Sequence, residues 1–170
     1  MLPMPNKIMI IGCCGSGKST LSKKLHEKTR LPLVHLDREY YKPNWVKPTS
    51  DEWKAKVLAI CNRDQWIMDG NYISSMETRM QYAEQIIWLD VNRITCLYRA
   101  FIRAVLPSKK HRSDMGEGCD ERHDLEFYRF IWDFHKTTRP QISHLLKNCK
   151  ESNAVILKNK RDIKEYLSKL

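Results

Sequence analysis

At 170 residues, 42% hydrophobic and 29% charged, the chain is sized for one globular domain with a proper core, and its composition excludes wholesale disorder. No apolar run approaches the roughly 18 residues that cross a bilayer, so a membrane-spanning role is excluded. A net charge of +10 favours polyanionic partners: nucleic acid, an anionic surface or small phosphorylated ligands.

In chain order, the first predicted element is a strand over 7–11, KIMII. Its opening, MLPMPNKIMIIG, has no basic start followed by an apolar stretch and a cleavage site, so no secretory leader and a cytoplasmic location are expected. The strand runs into GCCGSGKST, residues 12–20, and a helix is predicted over 18–28. The spacing matches G-x-x-x-x-G-K-[ST] in strand–loop–helix context, where the motif carries meaning. Glycines let consecutive N–H groups turn inward around phosphate oxygens, and the next helix aims its positive end at them. Gly12, Gly15, Ser16, Gly17, Lys18, Ser19 and Thr20 are therefore the expected ATP site. Lys18 is expected on the β- and γ-phosphates, Ser19 on Mg²⁺ and Thr20 on the α-phosphate.

A second strand over 33–36 ends at Asp37, expected to face the ligand crevice as a base or a substrate hydrogen-bonder. An irregular stretch with Pro43 and Pro48 follows; its Tyr40, Tyr41 and Trp45 are candidates for a substrate wall. After a helix over 51–62, a strand over 65–68 leads to Asp69 and Gly70. Asp69 is favoured to hold magnesium through water, over Asp90, which follows the next strand and could simply cap a helix. Arg79, on a helix over 75–83, is a candidate clamp for a substrate phosphate.

After the strand over 85–89, a helix over 92–106 carries an apolar stripe: Ile94, Leu97, Tyr98, Phe101, Ile102 and Val105. Arg99 and Arg103 sit off it, four apart, and Arg112 follows in the polar segment 108–122. A mobile flap carrying these arginines would stabilise the charge of a transferring phosphoryl group and exclude water. A helix over 121–147, a strand over 154–157 and a helix over 161–170 complete the chain, with Phe127, Phe130, Ile131 and Phe134 expected in the core. The six cysteines lack disulfide spacing and are expected as free thiols, and Cys119, His111 and His123 lack the spacing of a zinc site.

Alternation of strand and helix predicts an α/β fold with a parallel sheet in one domain, 1–170, with a lid near 107–122. The blocks G12-CCGSGKST, L36-DREYYKPNW, W66-IMDGNY, I86-IWLD, L97-YRAFIR and R112-SDMGEGC resemble the topology modulation protein family. That resemblance implies a three-layer phosphate-loop NTPase fold similar to adenylate kinase and shikimate kinase, with five strands in the order 2-3-1-4-5. It implies an ATP- and Mg²⁺-dependent kinase of a nucleotide or nucleoside-type acceptor. Asn71 and Tyr72 stand where adenylate kinase continues with phenylalanine, proline and arginine, so Asn71 is expected at the acceptor and AMP itself is disfavoured. Two alternatives stand beside it: a kinase of a small-molecule hydroxyl, with Asp37 as base, and a DNA-associated ATP-binding regulator.

Overall fold

The computed structural model describes residues 4–42, 45–106, 124–149 and 154–170. The expected lid at 107–122, with Arg112, His111 and Cys119, lies outside them, as do Pro43 and His123. The elements are β1 (Lys7–Gly12), α1 (Lys18–Thr29), β2 (Leu33–His35), α2 (Leu36–Tyr40), α3 (Ser50–Cys61), β3 (Trp66–Asp69), α4 (Ile73–Tyr82), β4 (Gln85–Leu89), α5 (Arg93–Val105), α6 (Leu125–Asn148), β5 (Ala154–Leu157) and α7 (Lys160–Ser168).

The five strands form one parallel sheet in the order β2-β3-β1-β4-β5. Strand β1 is central, and Ile8, Met9, Ile10 and Ile11 are wholly buried, as expected for a strand covered on both faces. The chain moves to one side of β1 for β2 and β3 and to the other for β4 and β5. Such a reversal opens a crevice beyond the carboxyl ends of the strands, where ligands of open α/β sheets sit. Register aligns Ile10 with Asp69 and Asp69 with His35, so β1, β3 and β2 end side by side.

One sequence expectation changes, and the α5 stripe gains a direction. The stretch after β2 is not wholly irregular: Leu36–Tyr40 forms the short helix α2, which points Leu36 inward and carries Asp37 at its start. The apolar stripe of α5 also faces the other way from a core stripe. Ile94, Tyr98, Phe101 and Val105 are 65, 64, 55 and 57% exposed, whereas the buried face is Cys96 and Ala100. Two small residues let α5 approach the glycine loop closely, which a row of large ones would prevent. On α6 the expected core face is mostly realised through Ile131 and Phe134, with Phe130 left exposed. Among the described residues no helix is long and apolar enough to cross a membrane.

Candidate active site

The loop after β1 is shaped by three glycines at positive φ: Gly12 at 150°, Gly15 at 79° and Gly17 at 105°. A side chain at Gly15 would place its Cβ 2.3 Å from the Cys96 carbonyl oxygen on α5. At Gly12 it would lie 2.6 Å from the Leu89 carbonyl oxygen and 2.9 Å from Ser16 Oγ. The loop is thus pressed against β4 and α5 with no room for a methyl. Gly15→Ala combines left-handed strain with that backbone clash, and about 2–4 kcal/mol of destabilisation is expected, read by thermal denaturation.

Helix α1 starts at Gly17, with no side-chain cap and no acidic residue in its first turn. Its N-terminal N–H groups and dipole are left to an anion. Lys18 Nζ donates to the carbonyls of Gly12 (2.8 Å) and Cys13 (3.0 Å). Thr20 is exposed on the first turn. Ser16, among the expected ATP contacts, is wholly buried in the loop. Its N–H donates to Cys13 O at 3.1 Å, and its hydroxyl is buried against Gly12 without a hydrogen-bond partner. Cys13 is buried; its hydrogen bond with the Cys96 thiol, then burial, push its pKa up, so it stays a thiol.

Asp69 ends β3 beside the loop and is nearly buried. Ser22 Oγ donates to Asp69 Oδ2 at 2.7 Å, and His35 Nδ1 lies 2.9 Å from Asp69 Oδ1. Ser22 is one turn beyond Ser19 on α1, so the carboxylate is aimed along the helix face that carries the loop serine. Two hard oxygen donors beside a phosphate cradle suit Mg²⁺, which takes one or two protein oxygens and completes its shell with water and phosphate. Among the described residues no three His, Cys, Asp or Glu side chains converge on a metal position. Asp90 instead receives a two-pronged bond from Arg139 of α6, with Nε at 2.8 Å and Nη2 at 2.9 Å. The cap of α5 is Asn92.

Asn71 and Arg79, both expected at the acceptor, bond to backbone groups in this structure. Both ends of the Asn71 amide meet Gly12: Gly12 N–H donates to Oδ1 at 3.0 Å, and Nδ2 donates to Gly12 O at 2.8 Å. The side chain adds a rung between β1 and β3 beyond their last paired residues. Arg79 is wholly buried, so it cannot present its guanidinium to a ligand in the crevice. It donates to the carbonyls of Gly70 (3.0 Å), Asn71 and Tyr72 (3.2 Å), and to Ser75 Oγ (3.3 Å). Burial lowers its pKa to about 9, still high enough to keep it charged at neutral pH. Gly70 and Tyr72 both have positive φ, and the turn hands the carbonyls of Gly70 and Asn71 to Arg79, while Tyr72 O also accepts from Ser75 N–H at 3.0 Å.

From the other side, Arg99 of α5 reaches the loop, with Nη1 3.1 Å from Ser16 O and 3.4 Å from Gly15 O. Arg103 lies one turn further along α5 and is half-buried. Over β2 and β3, Tyr72 donates its hydroxyl to Asp37 Oδ1 at 2.7 Å. Burial, then the Asp37 charge, push the Tyr72 pKa far up, so this phenol stays a donor. Its ring lies 4.7 Å from that of Tyr40 and 5.0 Å from that of Trp53, and the cluster continues through Tyr41 to Trp45. A capping box between Thr49 and Glu52 starts α3 and so fixes Trp53 in its first turn.

No family model matches the chain, and no curated protein matches its sequence. Solved structures do match. The shikimate kinase from Acinetobacter baumannii, solved in complex with shikimate, superposes with a TM-score of 0.64 at 15% identity, over 98% of this chain and 90% of that one. The shikimate kinase from Bacteroides thetaiotaomicron gives 0.59 at 14% identity, over 98% and 96%. The chain shares its fold with these two kinases, a five-stranded parallel sheet flanked by helices.

The structure brings Lys18, Ser19, Asp69, Asp37 and Arg99 to one edge of the sheet, and engages the Asn71 amide and the Arg79 guanidinium with backbone groups of the glycine loop and the β3–α4 turn. It adds three residues to which the sequence reading gave no role: Ser22, His35 and Tyr72. Ser22 carried a signal, lying three residues after Ser19 on a helix. His35 and Tyr72 had only their positions at the ends of strands that already carried an aspartate.

Proposed function

We propose that the chain is an ATP- and Mg²⁺-dependent phosphotransferase acting on the hydroxyl of a small molecule. The observation that supports it best is the shared edge: an uncapped, acid-free helix start behind a glycine loop opens beside the Asp37–Tyr72 pair. Lys18, now on two loop carbonyls, would exchange them for phosphate oxygens, while Asn71 Nδ2 keeps Gly12 O satisfied throughout. Arg99 is in reach of charge that develops on the transferring group. Ser19 and Asp69 would hold magnesium, which neutralises phosphate charge when bound.

The acceptor oxygen forms a bond to the γ-phosphorus as the bond to the β–γ bridging oxygen breaks. ADP departs, and the hydroxyl proton passes to the Asp37 carboxylate. A nucleoside monophosphate, the acceptor implied by the adenylate-kinase resemblance, needs no such base, and its expected clamp Arg79 is committed inside the protein. The fold neighbour in complex with shikimate supports a small-molecule acceptor.

Calorimetric titration with Mg-ATP tests the reading. Wild-type protein should bind at sub-millimolar concentration, and Lys18→Met should lose tenfold or more in affinity with an unchanged circular dichroism spectrum. Folded wild-type protein that takes up no ATP at millimolar concentration would sink it.

A further inference from the structure

Two aspartates stand at strand ends on the same edge of the sheet, and the protein holds them differently. Asp90, after β4, receives the charged fork of Arg139 at 2.8 and 2.9 Å. Asp69, at the end of β3, is held by a hydroxyl and an imidazole. Ser22 Oγ lies 2.7 Å from its Oδ2, and His35 Nδ1 lies 2.9 Å from its Oδ1. A carboxylate only accepts hydrogen bonds, so Nδ1 carries the hydrogen, as a neutral imidazole can. The cations of the adjoining loop and turn, Lys18 and Arg79, donate to backbone carbonyls. A buried carboxylate without a fixed counter-charge is costly to keep. Core filling does not explain it, because an apolar side chain would occupy the strand end with no polar atom to satisfy.

The two donors come from different elements and converge. His35 ends β2 and is paired in register with Asp69. Ser22 is on α1, one turn beyond Ser19, and its Oγ also lies 3.1 Å from Ser19 O. Both are buried, as is the carboxylate between them. A carboxylate offers about four acceptor sites, so one on each oxygen is left for the water shell of a cation. Outer partners of this kind fix the orientation of metal-holding groups, and losing one typically weakens metal binding about 10–100-fold. His35 is also the residue from which α2 starts, so it ties the Asp69 carboxylate to the helix that carries Asp37.

We propose, resting on the phosphotransferase reading above, that Ser22 and His35 are positioning residues for magnesium. Their hydrogen bonds fix the Asp69 carboxylate beside Ser19 and leave its negative charge to the cation.

The test reads metal binding apart from turnover. Mn²⁺ stands in for Mg²⁺ and is titrated into the full chain, held in excess over a non-hydrolysable ATP analogue, with free Mn²⁺ followed by electron paramagnetic resonance. His35→Leu and Ser22→Ala should each weaken Mn²⁺ binding about tenfold, while the analogue binds in EDTA as tightly as it does to wild type. His35→Asn, whose amide N–H can take the place of Nδ1–H, should stay within about threefold of wild type. Wild-type Mn²⁺ affinity in folded His35→Leu or Ser22→Ala overturns the proposal, as does His35→Asn binding Mn²⁺ as weakly as His35→Leu. An equal loss of analogue binding in EDTA also overturns it, because the two residues would then shape the loop rather than the metal site. Ser22→Ala removes a single oxygen and decides the matter where His35→Leu does not fold. Wild-type protein that binds no nucleotide removes phosphoryl transfer itself, whereas each of the other failures leaves it standing.

Discussion

Arg79→Met is expected to lower the melting temperature by roughly 5–15 °C and to leave the acceptor's KM nearly unchanged in protein assayed below its transition. Methionine refills most of the volume but supplies no donor. The carbonyls of Gly70 and Asn71 then lose their buried partner, while Tyr72 O keeps the Ser75 N–H and hydroxyl. Each unsatisfied carbonyl costs about 1–3 kcal/mol, partly offset because a buried charge is removed as well. A net loss of about 2–4 kcal/mol follows, and a domain of this length loses roughly 2–4 °C per kcal/mol. A ligand clamp would give the opposite pattern, with an unchanged melting temperature and a tenfold or larger rise in acceptor KM. Because Asn71 leaves the braced turn to grip Gly12, some weakening of ATP binding should accompany the lost stability. Thermal denaturation, calorimetry with ATP and acceptor kinetics on one preparation separate the two patterns.

The frame of the molecule was readable because its signals are local. A buried parallel strand announces itself as an unbroken apolar run, and the glycine loop as a spacing that only a phosphate cradle needs. The resemblance supplied the strand order, which the sheet bears out. What could not be read was direction. Arg79 looks like any helical arginine, and only the fold shows that the turn nine residues earlier bends back to bring the carbonyls of Gly70 and Asn71 to its guanidinium. The α5 stripe shows a related limit. Hydrophobic periodicity identifies a helix face but not what that face meets, and the close approach of Gly15 selects the side with Cys96 and Ala100. Asp90 shows the same limit, since its partner Arg139 lies 49 residues away on α6.

Asp37→Asn is expected to reduce kcat by about 10²–10⁴-fold while ATP affinity and melting temperature stay close to wild type. The substitution is nearly isosteric, and the asparagine oxygen can still accept the Tyr72 hydroxyl, so the wall of rings should keep its shape. What disappears is the charge that receives the acceptor proton. A neutral hydroxyl loses that proton only as its bond to phosphorus forms, so without a base the transition state must carry it. An acceptor that attacks through an already ionised phosphate oxygen has no proton to lose, and its kcat should fall less than about tenfold. Tyr72→Phe is the companion variant: it keeps the base and removes the hydroxyl that orients it, so a smaller loss of about tenfold is expected, without a change in ATP binding. Single-turnover measurements under saturating ATP read the chemical step directly. A wild-type rate in Asp37→Asn would remove this carboxylate from the reaction and return the acceptor to the phosphate class.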